Sequence, residues 1–501
     1  MAARRQEVPR QLASGAHAFN VAGAAAATLA ACVALPSVAA AGCPAPGARP
    51  SAPRWATDLN GVEWPEFCFE KRDDVEEHIF VIGDWGGIFR GAGLAPEPAW
   101  DNKRPKVPII DDRAQIAVAE QMERRANASR PRYILNVGDN FYWGGINADC
   151  GAETYTVLES VLPQWDAVFE SIYKGPALAG LPWMGVLGNH DYGGYMFTKG
   201  WDQAIAYTWG ETGRWLTPAL YWSTKVHYSD FSVDYLFVDS NVNDAFAPQD
   251  QPSHNMCSER NNPPDPTCGS DTGPVSAWDC TMWFMRLWQD QLAWMPKRLE
   301  KATGDWRIIV THFPPEFHRE DWSKIAREYS VDLFVTGHRH QQEVSNRDQQ
   351  MGGAAWIVSG GGGGIVSEGT PTADGNDDQY GFFDLTITRD QIKIEAITHT
   401  GILRSTTIVQ SSRTTTSSGT GTATATTTPA VTTATTTTTD RQRGRARRYL
   451  PRSREEDIPV MSAATGRGRL LHSGAGFTRA GIVWAAALAF AVSGLAWGAQ
   501  G

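Results

Sequence analysis

Five short blocks constrain this 501-residue chain more than anything in its composition: Gly83-Asp84-Trp85-Gly86, Gly138-Asp139-Asn140-Phe141-Tyr142, Gly188-Asn189-His190-Asp191, Thr311-His312 and Gly337-His338-Arg339-His340. Three of the glycine blocks follow apolar runs, Ile79-Phe80-Val81-Ile82, Tyr133-Ile134-Leu135 and Leu333-Phe334-Val335, and Thr311-His312 follows Ile308-Ile309-Val310. Such runs read as buried strands. A glycine at the strand exit lets the backbone turn sharply, so that the next side chain faces a shared crevice. In open α/β sheets, that crevice at the carboxyl ends of the strands is where ligands bind.

Donor chemistry narrows the ligand. Carboxylates, an amide oxygen and a phenol are hard oxygen donors, while neutral imidazoles suit zinc and iron, so the mixture points to transition metals and away from calcium. Each block alone has a plainer reading. A Gly-Asp is usually a turn, Asn-His-Asp can cap a helix, and His338 with His340 can be two exposed loop histidines. All five in this order, behind strand-like runs or turn glycines, read as one two-metal site.

The blocks resemble those of the metallophosphoesterase superfamily. The tyrosine of Gly138-Asp139-Asn140-Phe141-Tyr142, with the opening Gly83-Asp84-Trp85-Gly86, is similar to purple acid phosphatases of the small, tartrate-resistant type over roughly residues 77 to 400. The resemblance implies an α/β fold, a four-layer α/β/β/α sandwich of the metallophosphoesterase type. It implies that Asp84, Tyr142 and His340 ligate Fe(III), that Asn189, His312 and His338 ligate a second ion, Fe(II), Zn(II) or Mn(II), and that Asp139 bridges the two. The implied activity is metal-dependent acid phosphatase, hydrolysing phosphomonoesters by attack of a metal-bound hydroxide. Two adjacent cations neutralise the phosphate, acidify a bound water and align nucleophile with leaving group. Tyr142 as phenolate favours the ferric state, and in the family this gives the purple colour.

Three further residues are candidates for catalysis. His190, beside Asn189 but outside the ligand set, is placed to stabilise the leaving oxygen or give it a proton. Asp191 reads either as a carboxylate orienting a site histidine or as an ordinary loop residue. His318, six residues after His312, reads either as a leaving-group contact or as a surface histidine; its spacing is shorter than in relatives.

The ends account for the excess length. Residues 1–41 carry Arg4, Arg5 and Arg10, then an alanine-rich apolar run, then Ser37-Val38-Ala39-Ala40-Ala41, a signal-peptide pattern. Residues 42–404 form the expected catalytic domain. Residues 405–479 read as a disordered, Thr/Ser-rich stalk of a composition open to O-glycosylation, passing into an arginine-rich stretch, preferred as a linker over a processing site. Residues 480–501 carry no charge and are long enough to span a bilayer. They fit a GPI signal, with Ser462-Ala463-Ala464 or Ser473-Gly474-Ala475 as attachment site, or a retained transmembrane helix; the lack of Lys or Arg beyond them favours removal. The expected location is the secretory pathway, ending at the cell surface or outside it, or in a vacuole or other endomembrane compartment.

The net charge is −10, yet residues 1–41 carry +2 and residues 441–479 carry +7, so the body between is strongly acidic. Such a body is a poor nucleic-acid binder. The expected partners are phosphomonoester substrates and a membrane, and nothing in the sequence sets an oligomeric state. Cys43, Cys68, Cys150, Cys257, Cys268 and Cys280 remain once Cys32 is removed with the signal, an even count that suggests three disulfides of open pairing. Asn127-Ala128-Ser129 is an N-glycosylation acceptor. The polar stretch 241–279 holds Cys257 and Cys268, with Cys280 directly after it, and reads as a disulfide-held surface insertion, or else a gate over the site. Of the tryptophans, Trp183, Trp209 and Trp222 read as core or cleft wall, while Trp85 and Trp143 either wall the cleft or simply pack. The run Gly360 to Gly364 lacks the Lys-Ser/Thr of a P-loop and reads as a flexible turn. Helices are expected over residues 112–130, 154–173 and 283–301, and strands over 219–228, 233–238, 356–358 and 382–397. An alternative function is a non-catalytic membrane anchor or scaffold on the same fold, resembling glideosome-associated anchors; the complete ligand set and His190 favour catalysis.

Overall fold

The computed structural model describes residues 47–87, 104–210, 213–250, 254–269 and 273–413. The expected signal segment, the stalk beyond Arg413 and the terminal apolar segment lie outside the described residues. Among those described, no helix is long and apolar enough to cross a membrane.

Alternation along the apolar runs builds the layers. In Glu77–Ile82, the side chains of Ile79 and Val81 enter one core and those of Phe80 and Ile82 another, because successive strand residues point to opposite faces. Trp306–Thr311 and Leu333–Thr336 do the same: Ile308, Val310, Leu333 and Val335 share the core of Ile79, while Ile309 and Phe334 face away. A strand buried on both faces is why these stretches read as continuous hydrophobic runs.

Two sheets result. One runs through Val62–Glu63, Trp222–His227, Ser232–Val238, Trp306–Thr311, Leu333–Thr336, Ala355–Ser359 and Gln342–Ser345. The other runs through Leu403–Gln410, Gln391–Thr398, Gly381–Ile387, Glu77–Ile82, Ile134–Asn136, Trp183–Gly185 and Trp215–Leu216. They share the apolar core between them. Helix Ala114–Ser129 and a cluster of large aromatics around Trp165 and Trp183 cover the second sheet. Helices Ala277–Leu299 and Arg319–Tyr329 cover the first. The order is therefore α/β/β/α, as the resemblance implies. The central strands of each sheet are parallel, so their carboxyl ends deliver the five blocks to one edge.

Several boundaries differ from expectation. Helix Ala277–Leu299 starts earlier, where the Ser276 hydroxyl accepts the Asp279 N–H at 3.0 Å and caps the first turn. Residues 154–173 do not form one helix; short turns Glu159–Val161, Leu162–Trp165 and Asp166–Glu170 follow one another, with Pro163 near the start. The domain also continues past 404. Leu403–Gln410 is an antiparallel strand beside Gln391–Thr398, so the first residues assigned to the stalk belong to the sheet. Val409 is buried there, and Arg413 reaches back to Asp332 at 2.6 Å. The sequence hid this strand because Ser405, Thr406 and Thr407 within it are the same residue types as the stretch that follows.

Disulfides join Cys150 to Cys268 and Cys257 to Cys280, and Cys68 is also disulfide-bonded. The stretch 241–279 is thus tied at Cys257 and Cys268, as the disulfide-held reading requires. A chain ended after Arg404 loses the outer strand and the Arg413 to Asp332 bond, whereas one ended after Arg413 keeps both. The shorter chain is expected to melt at least roughly 5 °C lower by calorimetry; equal melting temperatures would return residues 405–413 to the stalk.

Candidate metal centre

The glycines before the donors act differently from the sharp turn expected of them. A Cβ on Gly83 would lie 2.2 Å from Val137 Cγ2, one on Gly337 2.6 Å from Asp84 Oδ2, and one on Gly188 2.2 Å from Asp139 Oδ1. These glycines leave room for the crossing of loops. The left-handed turn is made by the donor residues themselves, Asp84, Asp139 and His338, at φ of 57°, 53° and 69°. Among the glycines directly before a donor, Gly138 alone takes positive φ, at 93°. Non-glycine residues held there cost about 1–3 kcal/mol each, strain characteristic of functional sites.

The Gly360 to Gly364 run is not a flexible turn. It is buried, and its backbone bonds the Asp84 loop: Gly362 N donates to Gly83 O at 3.1 Å and Gly364 N to Asp84 O at 2.8 Å. Any Cβ on Gly360 or Gly362 would strike the carbonyl of Arg339 or of Gly83, at 2.0 and 2.3 Å.

All seven expected donors come together, and most of them are fully buried. The Tyr142 hydroxyl lies 2.7 Å from Asp139 Oδ2 and 3.0 Å from Asp84 Oδ1. His340 Nε2 is 3.4 Å from the same hydroxyl and 3.7 Å from Asp84 Oδ1. On the other side, His312 Nδ1 donates to the Val137 carbonyl at 2.8 Å, which leaves Nε2 as the lone-pair nitrogen of the neutral ring. That Nε2 sits 3.1 Å from Asn189 Oδ1 and 3.3 Å from Asp139 Oδ2. His338 lies beside the group, its ring centroid 5.3 Å from that of His312 and its backbone N–H donating to Asp84 Oδ2 at 3.0 Å.

This arrangement fits a cation better than it fits its own protons. One phenol proton serves two carboxylates, and a histidine lone pair faces an amide oxygen and a carboxylate. Asp84, Asp139 and His312 offer ligand atoms within 4.8 Å of one another. Burial pushes the Asp84 carboxyl well up, with Asp139 adding to it. For Asp139 burial acts the same way, but His312 and His190 outweigh it and hold the carboxyl low. Burial would lower His312, yet Asp139 and Asp84 overcome it and raise the ring to about 10. A proton on His312 thus occupies the place that positive charge is called to. His338 is kept neutral, far below its ordinary value, by burial and then by His312, the form in which an imidazole ligates a metal.

Around the donors, His190 is buried; its N–H donates to Asp139 Oδ1 at 2.9 Å and its Nδ1 to the Trp143 carbonyl at 2.7 Å. Asp191 orients no histidine. It accepts from Asn140 N, Asn140 Nδ2 and Gly188 N at 2.7–2.9 Å, which clamps the loop of Asp139 to the loop of Asn189. Burial, with Asp139 adding, pushes its carboxyl up to about 7. His318 does not reach the site. Residues Pro315–His318 form a turn leading into helix Arg319–Tyr329, and the imidazole stacks on Trp288 at 4.4 Å, with Nδ1 3.7 Å from Asp321. Its neighbour Phe317 touches His338 instead. Trp85 is core, donating to Asn136 Oδ1 at 2.9 Å, whereas Trp143 stays partly exposed beside His190. Sequence reasoning missed Glu368, 3.9 Å from His340 Nδ1, and His254 of the insertion, whose ring lies 5.6 Å from that of His190. No motif surrounds either residue; only the Gly360 to Gly364 run and the nearby Cys257 hinted at those segments.

The family model for calcineurin-like phosphoesterases matches residues 77–342, which hold all five blocks. The chain belongs to the calcineurin-like phosphoesterase family. Within this family it is 22% identical over 290 residues to tartrate-resistant acid phosphatase type 5 of Rattus norvegicus, covering 56% of this chain and 70% of that one. It is 24% identical over 293 residues to purple acid phosphatase 7 of Arabidopsis thaliana, with the same coverage of each. Among solved structures it is similar to GAP50, the anchor in the inner membrane complex of Plasmodium, with 17% identity and a TM-score of 0.44 over 68% of this chain and 90% of that one. Family membership carries phosphoesterase chemistry and a metal centre with it.

Gly362→Ala is expected to push the Asp84 loop outward, destabilise the fold by about 1–3 kcal/mol and lower the bound metal measured by mass spectrometry. Gly180→Ala, where an added Cβ meets nothing within 4 Å, is expected to change neither.

Proposed function

We propose that this protein is an acid phosphatase that hydrolyses phosphomonoesters at a binuclear Fe(III)–M(II) centre, M being iron, zinc or manganese. The observation that carries the reading is the meeting of Asp139 Oδ2, Asn189 Oδ1 and His312 Nε2 beside the Asp84, Tyr142 and His340 group. Asp84, Tyr142 and His340 would hold the ferric ion, and Asn189, His312 and His338 the divalent one, with Asp139 between them. When bound, such a pair supplies charge neutralisation for the phosphate and solvent acidic enough to attack phosphorus.

The chain's own residues do the rest. His190 is held by its ring Nδ1 on the Trp143 carbonyl, while its backbone N–H bonds Asp139; Nε2 is then a lone pair in the neutral ring, and it is as the imidazolium that the residue would hand a leaving oxygen a proton. Asp191 keeps the Asp139 and Asn189 loops in register, and the Val137 carbonyl fixes which nitrogen of His312 is the donor. The disulfides Cys150–Cys268 and Cys257–Cys280 support folding in an oxidising compartment, hence the secretory pathway, and residues 480–501 are the segment assigned to membrane attachment.

Purified full-length protein is expected to hydrolyse p-nitrophenyl phosphate within about pH 4 to 8, a range that brackets histidine titration. Asp139→Asn and His340→Ala should lose metal and activity together, by more than the roughly 10–100-fold that partners outside the ligand set cost. His318→Ala should keep activity within about twofold, since its ring lies against Trp288. A metal-loaded protein inactive throughout that range would favour a scaffold built on the same fold.

A further inference from the structure

The insertion brings a ring to the site that none of the five blocks contains. His254 stacks on Tyr195, centroids 4.8 Å apart at 24°, and meets His190 edge-on at 5.6 Å. Trp143 closes the set, 4.6 Å from His190, 6.0 Å from Tyr195 and 6.3 Å from His254. His190 is buried, whereas Trp143, Tyr195 and His254 each keep part of their surface open. His190 in turn lies over Tyr142 at 4.5 Å. The four rings thus lead outward from the donors on the His190 side.

His254 is placed rigidly. Its neighbour Asn255 is buried and makes four hydrogen bonds, accepting from Phe246 N and Cys257 N at 3.1 and 2.9 Å and donating to the Ala247 and Asp250 carbonyls at 3.0 and 2.9 Å. Met256 N donates to Asp244 O at 2.8 Å, and Cys257 is bonded to Cys280 on the long helix. The Asp244 carboxylate stands 3.7 Å from His254 Nδ1. A surface loop with no task needs neither this network nor a disulfide three residues from an imidazole aimed at His190.

We propose that Trp143, Tyr195 and His254 form a leaving-group subsite that selects phosphomonoesters of flat, aromatic alcohols over those of aliphatic ones. This deepens the phosphatase reading and rests on it. With the phosphoryl group at the donors and the leaving oxygen at His190, the ester's organic part extends along these rings. A planar group can lie against Tyr195 and His254 and bury their open surface; a small aliphatic group buries far less of it.

Binding of phenylphosphonate and of methylphosphonate, which are not phosphate esters, separates the subsite from catalysis. Calorimetry on full-length protein with its native metal complement is expected to show phenylphosphonate binding about three- to tenfold tighter, the ratio one aromatic contact supports. His254→Ala and Tyr195→Ala should bring the two ligands to within about twofold while leaving methylphosphonate nearly unchanged, and His254→Phe should keep the preference. In turnover, His254→Ala should raise KM for phenyl phosphate, leave its kcat nearly constant, and spare glycerol 2-phosphate. Equal binding of both phosphonates by the native protein, a preference that survives both alanine variants, or an equal loss of both ligands would overturn the subsite. A native protein that hydrolyses nothing but shows the ring-dependent preference would overturn the phosphatase reading and, with it, the leaving-group role, leaving the three rings as an aromatic binding site alone.

Discussion

Burying two carboxylates, a phenol and an imidazole lone pair within touching distance is the constraint on which this structure depends. Asp84 and Asp139 are fully buried and share the one proton of Tyr142. An uncompensated charge in such surroundings costs several kcal/mol. Positive charge must therefore arrive at that point, whether as the proton His312 is driven to keep or as bound metal. The surrounding loops read as machinery that prevents the cluster from relieving itself by moving apart.

That machinery is mostly backbone and amide. Asp191 links the loops of the second and third blocks, and a relay from Trp85 through Asn136 to Asn140 ties Asp191 to the aromatic core behind the site. The Gly360 to Gly364 segment presses on the Asp84 loop from the opposite side. His312 and His338 come from one sheet, Asp84, Asp139 and Asn189 from the other, so the donor set exists only while the two sheets share their core. Stability of the sandwich and integrity of the centre are the same property seen at two scales.

The donors and the sandwich were legible in the sequence because both are written locally. An apolar run buried on two faces announces its strand, and a glycine required by close approach of another loop stands next to its donor whatever the detailed reason for it. What escaped was set by distant contacts. Asp191 is legible as a carboxylate supporting the site, but its hydrogen bonds to Asn140 and Gly188 show only in the folded chain. His318 admits two readings in the sequence, a leaving-group contact or a surface histidine, and only the turn at Pro315 and the face of Trp288 decide against the first. The strand Leu403–Gln410 was hidden in threonine-rich sequence, and His254 in an insertion whose path two disulfides determine.

The central claim, that the seven donors hold two ions and that one of these is iron bound by Tyr142, is tested most directly by metal analysis together with a visible absorption spectrum of the full-length protein. The account predicts two metal ions per chain, at least one of them iron, and a tyrosinate-to-iron absorption band that Tyr142→Phe abolishes while most of the metal stays bound. A protein that takes up no metal, or binds iron with no band sensitive to Tyr142, would contradict it.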